Sequence, residues 1–164
     1  NISCRYFTYS TEFIILARKS PKVAHCFNYD LMKELNGNKQ MTDVWQLPAI
    51  GKWEKSCGKH PTQKPLGVLA RLIQASTSPG AWILDPFSGS ATTGIAANLL
   101  GRRYLGLEIE DEFLEMSKAR RMELERPAIR NNYLERLAKA RHILPPDNFF
   151  VAGGDDLNYG VPWL

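Results

Sequence analysis

The chain has 164 residues, of which 44% are hydrophobic and 23% are charged. These values are typical of a globular domain, and a compact domain of this size buries about two-thirds of the surface of its unfolded chain. The sequence has no run of about 18 apolar residues, so a transmembrane helix is excluded and a soluble protein is expected.

The net charge of +4 is unevenly distributed along the chain. Residues 1–64 carry ten Lys and Arg against five Asp and Glu, whereas residues 65–164 carry eleven against twelve. A basic excess in one part of a chain is compatible with a face that binds a polyanion, and equally with an ordinary solvated surface.

The three cysteines, Cys4, Cys26 and Cys57, are odd in number and lack C-x-x-C spacing. This pattern argues against a disulfide framework and predicts a reducing, cytoplasmic location. With His25 and His60 they still fall short of the usual four-ligand zinc spacing, so no metal site is expected.

The first element predicted from the sequence is a strand. Phe7 to Lys19 is rich in β-branched and aromatic residues, and its apolar run Phe13 to Ala17 predicts a buried strand that ends before Pro21. From Lys22 to Lys59 the periodicity fades, and the chain is predicted to be irregular apart from one short helix around Asp30 to Leu35.

The second half of the chain predicts an α/β fold. Proline at position 65 suits the first turn of a helix, and the small residues after Thr92 or Thr93, which can cap a helix, suit close packing on a sheet. In chain order we expect a helix from Pro65, a strand at Ala81 to Leu84, a helix from Thr92 or Thr93 to about Leu100, a strand at Arg103 to Leu107, a helix from Asp111 to about Arg126, and a last helix at Asn131 to Arg141.

The loop after the first of these strands carries the first functional signal. It reads ILDPFSGSATTG from Ile83 to Gly94, and its small residues leave backbone N–H groups open to a ligand. Glu108 follows Gly89 by 19 residues, near the spacing at which an acid binds ribose hydroxyls in dinucleotide folds. Because the G-x-G-x-x-G pattern is absent, a cofactor loop and a tight structural turn are equally compatible with these residues alone.

A box of residues upstream of the loop makes the signal specific; in chain order it is the first box and the loop is the second. GKHPTQKPLGVL, Gly58 to Leu69, lies shortly before the loop, and the two together resemble the β-class amino-methyltransferases of DNA, the modification enzymes of restriction systems. In that family a His-Pro-Thr-Gln-Lys-Pro box precedes an Asp-Pro-Phe-x-Gly-Ser-Gly-Thr-Thr loop, and both line the S-adenosylmethionine pocket. The resemblance implies a Rossmann-like methyltransferase fold with an incomplete, parallel-rich sheet and flanking helices.

The resemblance also implies a set of cofactor-binding residues. Lys64 matches the family residue that binds the methionine carboxylate, and Glu108 matches the one that binds the ribose hydroxyls. Ala91 stands where the family usually has a second glycine. A positive φ at Ala91 would put the loop conformation and the cofactor affinity in doubt. The implied set is His60, Thr62, Lys64, Asp85, Phe87, Gly89, Ser90, Thr92 and Glu108.

The resemblance covers about Arg5 to Leu124 and divides the chain into regions. Residues 1–20 match the end of the catalytic half, a strand pair with Glu12 in the customary acidic position; residues 21–59 match the target-recognition region, residues 60–126 match the cofactor-binding half, and residues 127–164 are unassigned. Base readout is expected within Gly37 to Ile50. The predicted phosphate contacts are Lys19, Lys22, Lys39, Lys52 and Lys55.

The catalytic tetrapeptide of the family, Asp-Pro-Pro-Tyr or Ser-Pro-Pro-Tyr, does not occur in these 164 residues, and Leu144 to Phe150 is predicted to be a turn. Asn1 is not Met, so we expect a fragment of an adenine-specific DNA methyltransferase that needs its N-terminal catalytic segment and acts on double-stranded DNA. The alternatives are a non-catalytic DNA-binding or specificity module and a methyltransferase of the exocyclic amine of cytosine. Nicotinamide redox chemistry is disfavoured by the missing glycine pattern, and the oligomeric state is open between monomer and homodimer.

Overall fold

The computed structural model describes residues 7, 9–140 and 143. In chain order the elements are α1 (Tyr29–Leu35), a short 3-10 helix (Lys52–Lys55), α2 (Leu66–Ser76), β1 (Trp82–Asp85), α3 (Thr92–Leu99), β2 (Arg103–Gly106), α4 (Asp111–Glu123) and α5 (Pro127–Lys139). None of the helices within the described residues is both long and apolar enough to cross a membrane.

The two strands form a parallel pair with α3 as the crossover. The register places Trp82 opposite Arg103 and Asp85 opposite Gly106. Both strands therefore end at the same edge, where the loop after Asp85 meets the loop after Gly106. This β-α-β-α order is the α/β, partial Rossmann-like fold that the sequence predicted.

One buried cluster holds α2, α3 and α5 together. Leu66 of α2 is fully buried, Ile95 of α3 is 1% exposed and Leu137 of α5 is 2% exposed. The alternating strand residues Ile83 and Tyr104 pack against the same cluster. The core therefore lies on one side of the two-stranded sheet, and α3 is pressed against it by its small residues.

The other face of the sheet is apolar and exposed. Trp82 and Leu84 on β1 are 57% and 62% exposed, and Leu105 and Leu107 on and after β2 are 37% and 50% exposed. No described residue covers this face enough to bury it. Parallel sheets are normally covered on both faces, so this one is a partial version of its fold.

The strand predicted at the N-terminal end is wrong for the described residues. Residues 9–19 contain neither helix nor strand, and Phe13 and Ile15 are 93% and 89% exposed. A strand needs a partner for its N–H and C=O groups, and both described strands pair only with each other. The apolar pattern was present, but its pairing partner is not among the described residues.

Several predicted boundaries move. Ala91, not Thr92 or Thr93, is the N-cap of α3, and it makes no side-chain cap because its methyl group cannot accept a hydrogen bond. The helix α4 ends at Glu123, before the predicted Arg126, and α5 begins at Pro127, because proline is tolerated in the first turn of a helix. The predicted end of α5 at Arg141 and the predicted turn at Leu144 to Phe150 lie outside the described residues.

Candidate cofactor site

The loop after β1 is tied to the end of β2 by backbone hydrogen bonds. The Leu107 N–H donates to the Asp85 carbonyl at 2.9 Å, and the Ser88 N–H donates to the Leu107 carbonyl at 2.9 Å. The loop then turns through two left-handed residues, Gly89 at φ 51° and Ala91 at φ 53°. Ala91 therefore has a positive φ, which is unfavourable for a residue that carries a Cβ.

The first box meets this loop at one point, where His60 lies against Gly89. A methyl group placed on Gly89 would be 2.9 Å from His60 Nε2, too close for any ordinary contact. The His60 ring also packs on Phe113 of α4, with ring centroids 4.2 Å apart and a tilt of 58°. Its Nδ1 accepts the Thr62 N–H at 3.2 Å, which fixes the orientation of the ring. The bare backbone at Gly89 is what allows the two boxes to touch.

Glu108 follows the end of β2 and contacts the same residue of the loop, Gly89. Its Oε2 accepts the Gly89 N–H at 2.6 Å, and its Oε1 accepts the N–H groups of Ile109 at 2.9 Å and Glu110 at 3.0 Å. These bonds, the one from Glu110 foremost, hold the pKa of Glu108 below its ordinary value despite its partial burial. Glu108 is therefore an anion at neutral pH, locked to the loop.

Asp85 and Phe87 lie at the start of the loop. Asp85 Oδ1 accepts the Phe87 N–H at 3.2 Å, which shapes the turn through Pro86. The Phe87 ring is 90% exposed, so it presents an aromatic face to solvent beside the loop.

Ser90 and Thr92 point into the protein instead of outward. Ser90 is 3% exposed and Thr92 is 6% exposed, and their hydroxyl oxygens each accept a hydrogen bond from Arg120 Nη1 at 3.1 Å. Any contact these two residues make with a cofactor is therefore left to their backbone groups.

Lys64 is committed to another partner. Its Nζ lies 2.8 Å from Glu12 Oε2, and both side chains are more than half exposed. No hydrogen bond or ion pair among the described residues joins Lys64 to His60 or Glu108. The structure thus brings together His60, Gly89 and Glu108 and leaves the lysine of the first box paired with the N-terminal segment.

Three residues of this region carried no sequence signal. Phe113 and Arg120 lie on α4, which the sequence predicted as a helix without any site residue. Glu54 is 4% exposed, and its Oε2 accepts the Leu66 N–H at 2.7 Å, so a carboxylate from the short 3-10 helix caps α2. All three act through contacts far apart in sequence, which no local spacing reveals.

The predicted DNA-contacting lysines are available at the surface. Four of them are exposed and Lys55 is partly exposed, and none of the ion pairs within the described residues includes any of the five. Lys52 and Lys55 share the short 3-10 helix, whose interior side holds the buried Glu54.

Comparison with known proteins identifies the family. The DNA methylase family matches residues 1–119, and the chain belongs to it, as the two boxes predicted. The type II methyltransferase M2.MboI of Moraxella bovis is 60% identical over 139 residues, covering 85% of this chain and 50% of that protein. M2.DpnII of Streptococcus pneumoniae is 58% identical over 121 residues, covering 73% of this chain and 45% of that protein.

The chain spans about half the length of the curated relatives it matches. Among solved structures, the M1.HpyAVI–SAM complex is 34% identical, with a TM-score of 0.47 over 60% of this chain and 45% of that one. The family is established by the sequence matches.

Substitution of Gly89 tests the contact between the two boxes. Gly89→Ala should be destabilised by two effects, the left-handed backbone, which costs about 1–2 kcal/mol, and the clash with His60. Gly80→Ala is the matched control, because Gly80 has φ 76° but a Cβ there meets nothing within 4 Å. Chemical denaturation should show a larger loss for Gly89→Ala; equal losses would mean that His60 does not press on Gly89.

The pH dependence of stability tests the Glu108 carboxylate. Its pKa is lowered on folding, so its contribution is fully present above the unfolded value, near 4.5, and is lost as pH falls through the folded value. The free energy of unfolding of the natural chain should exceed that of Glu108→Gln at neutral pH. The two curves should converge in acid, and a difference independent of pH would contradict the assignment.

Proposed function

We propose that this chain is the cofactor-binding and target-recognition portion of a DNA methyltransferase that transfers a methyl group from S-adenosylmethionine to the exocyclic amine of adenine in duplex DNA. The observation that carries the proposal is the meeting of His60, Gly89 and Glu108, which joins the two boxes in space as well as in sequence. Duplex DNA as the substrate implies a cytoplasmic location for the whole protein.

The residues present fit a sulfonium nucleoside. Gly89 has no Cβ, so the His60 ring lies against the loop and both boxes border the same site. The Glu108 carboxylate accepts three N–H groups and has acceptor capacity left for ribose hydroxyls, since two carboxylate oxygens offer about four lone-pair sites. The exposed Phe87 ring offers an aromatic face to adenine or to the sulfonium. The cofactor supplies an activated methyl group.

Lys64 supports the same assignment through the partner it already has. An ammonium that pairs with the Glu12 carboxylate at 2.8 Å is suited to a carboxylate of the methionine moiety. Because both side chains are exposed, the pair contributes about 0–1 kcal/mol and exchanges its anion at little cost.

Methyl transfer needs more than a cofactor pocket. The amine must meet an acceptor for its developing positive charge, and an extruded base must rest on a platform. In the family the catalytic tetrapeptide fills these roles, and it does not occur in the 164 residues. The exposed apolar face at Trp82, Leu84, Leu105 and Leu107 supports completion of the fold by a further segment. We therefore propose that these 164 residues alone do not methylate DNA.

Calorimetry and a transfer assay test the proposal. The chain should bind S-adenosylmethionine in the micromolar range, Glu108→Ala should weaken that binding, and labelled methyl should not pass to mixed-sequence duplex DNA. Binding to DNA without binding to the cofactor would favour a non-catalytic specificity module instead. Transfer above a buffer blank would overturn the inactivity of the isolated chain, and the methylated base would distinguish adenine from cytosine.

The salt dependence of DNA binding tests the predicted lysines. Lys52→Gln and Lys55→Gln should each reduce the slope of log K against log salt by about 0.9 if the lysine contacts a phosphate. Lys118→Gln removes the same charge from α4, where Lys118 pairs with Glu115 at 2.7 Å, and should leave the slope unchanged. An equal change in all three variants would mean that net charge, and not local contact, governs binding.

A further inference from the structure

Arg120 is the most deeply buried charged side chain behind the cofactor loop. It lies in the last turn of α4 and is 2% exposed. Its Nη1 donates to the Ser90 carbonyl at 2.5 Å and to the hydroxyl oxygens of Ser90 and Thr92, each at 3.1 Å. These three bonds go to the loop, and the guanidinium also interacts with the Tyr133 hydroxyl and with the Glu54 carboxylate.

No carboxylate of the described residues lies within ion-pair distance of Arg120, and Glu54 favours its charged form only from farther away. Arg120 belongs to none of the ion pairs there, and its Nε and Nη2 are buried without a hydrogen-bond partner in the same part of the chain. Burying a guanidinium without an ion-pair partner is costly, and an apolar residue of similar volume is often neutral or stabilising at such a place. The three hydrogen bonds to the loop offset part of this cost of burying the guanidinium.

The bonds lie on either side of Ala91. Ser90 precedes it and Thr92 follows it, so one nitrogen atom fixes both neighbours of the residue whose φ is 53°. An alanine in the left-handed region is less stable than in the right-handed one, and it stays there only when its surroundings hold it. Ala91 is fully buried, so its methyl group also fills space behind the loop.

We propose that Arg120 is the positioning residue of the cofactor loop, which holds the turn from Ser90 to Thr92 in its left-handed form and thereby sets the affinity for S-adenosylmethionine. The second part rests on the proposed function; the first part does not. Arg120 touches no reacting atom in this assignment and acts through Ser90 and Thr92, the neighbours of Ala91.

A double-mutant cycle separates positioning from simple support of the fold. In the Arg120→Met chain the turn loses its restraint, and cofactor affinity should fall roughly tenfold, the equivalent of about 1.4 kcal/mol. Ala91→Gly accepts a positive φ without strain, so Arg120→Met combined with Ala91→Gly should recover most of the lost affinity. Arg120→Lys keeps the positive charge, and its cofactor affinity should lie between those of the natural chain and of Arg120→Met.

The matched control is Arg121→Met. Arg121 is the next residue along α4 and pairs with Glu125 at 3.3 Å, away from the loop contacts of Arg120. Arg121→Met removes the same type of side chain from the same helix, so it should leave the cofactor affinity unchanged. Equal losses in the two single variants, or a loss from Arg120→Met that Ala91→Gly does not reduce, would overturn the proposal.

Amide hydrogen exchange gives a readout that needs no cofactor. The Ala91 N–H donates to Ser88 at 2.8 Å and the Ile95 N–H donates to Ala91 at 3.0 Å, so both report the turn. Exchange at these two amides should speed up in Arg120→Met and be slowed again by Ala91→Gly, with the Arg103 amide of β2 as an internal reference. Unchanged exchange refutes the positioning role, whereas altered exchange in a chain that binds no cofactor refutes only the proposed function.

Discussion

The hydrogen bond from the Gly89 N–H to Glu108 Oε2 is the contact on which the candidate site depends. It is 2.6 Å long and joins the loop after β1 to the end of β2. Parallel pairing brings these two strand ends to one edge, but pairing alone does not fix the path of the loop beyond them. The ionised carboxylate does so, because an anion attracts N–H groups more strongly than a neutral acceptor, and it thereby leaves Gly89 beneath His60.

The parts of the fold that the sequence predicted are those set by local pattern. The helix α2 and the strand β1 follow from helical spacing after Pro65 and a short apolar run before Asp85, and both appear within one or two residues of their predicted places. The apolar run at Phe13 to Ala17 looked equally convincing, yet it forms no strand in the described structure. Its failure shows that a strand depends on a pairing partner, which no property of the run itself supplies.

The residues of the candidate site likewise divide into those that the sequence predicted and those that it missed. His60, Gly89 and Glu108 were found because two boxes in a fixed order are a strong pattern, and the structure places them in contact. Phe113 and Arg120 escaped because a helix with acids first and bases later has an ordinary explanation in the helix dipole. Only the packing of α4 against the loop shows that one of those bases is buried. Ser90 and Thr92 show the reverse case, since residues expected at the ligand turn their side chains toward Arg120.

The placement of charge around the loop is consistent with a ligand that carries charges of both signs. Glu108 puts a carboxylate at one end of the turn, suited to neutral hydroxyls and tolerant of a nearby cation, while Lys64 of the first box puts an ammonium at the surface. The pairing of Lys64 with Glu12 uses one of the three N–H donors of the ammonium, so among the described residues two donors remain for a further acceptor. Because both side chains are more than half exposed, that pair contributes about 0–1 kcal/mol to stability and holds neither residue firmly in place.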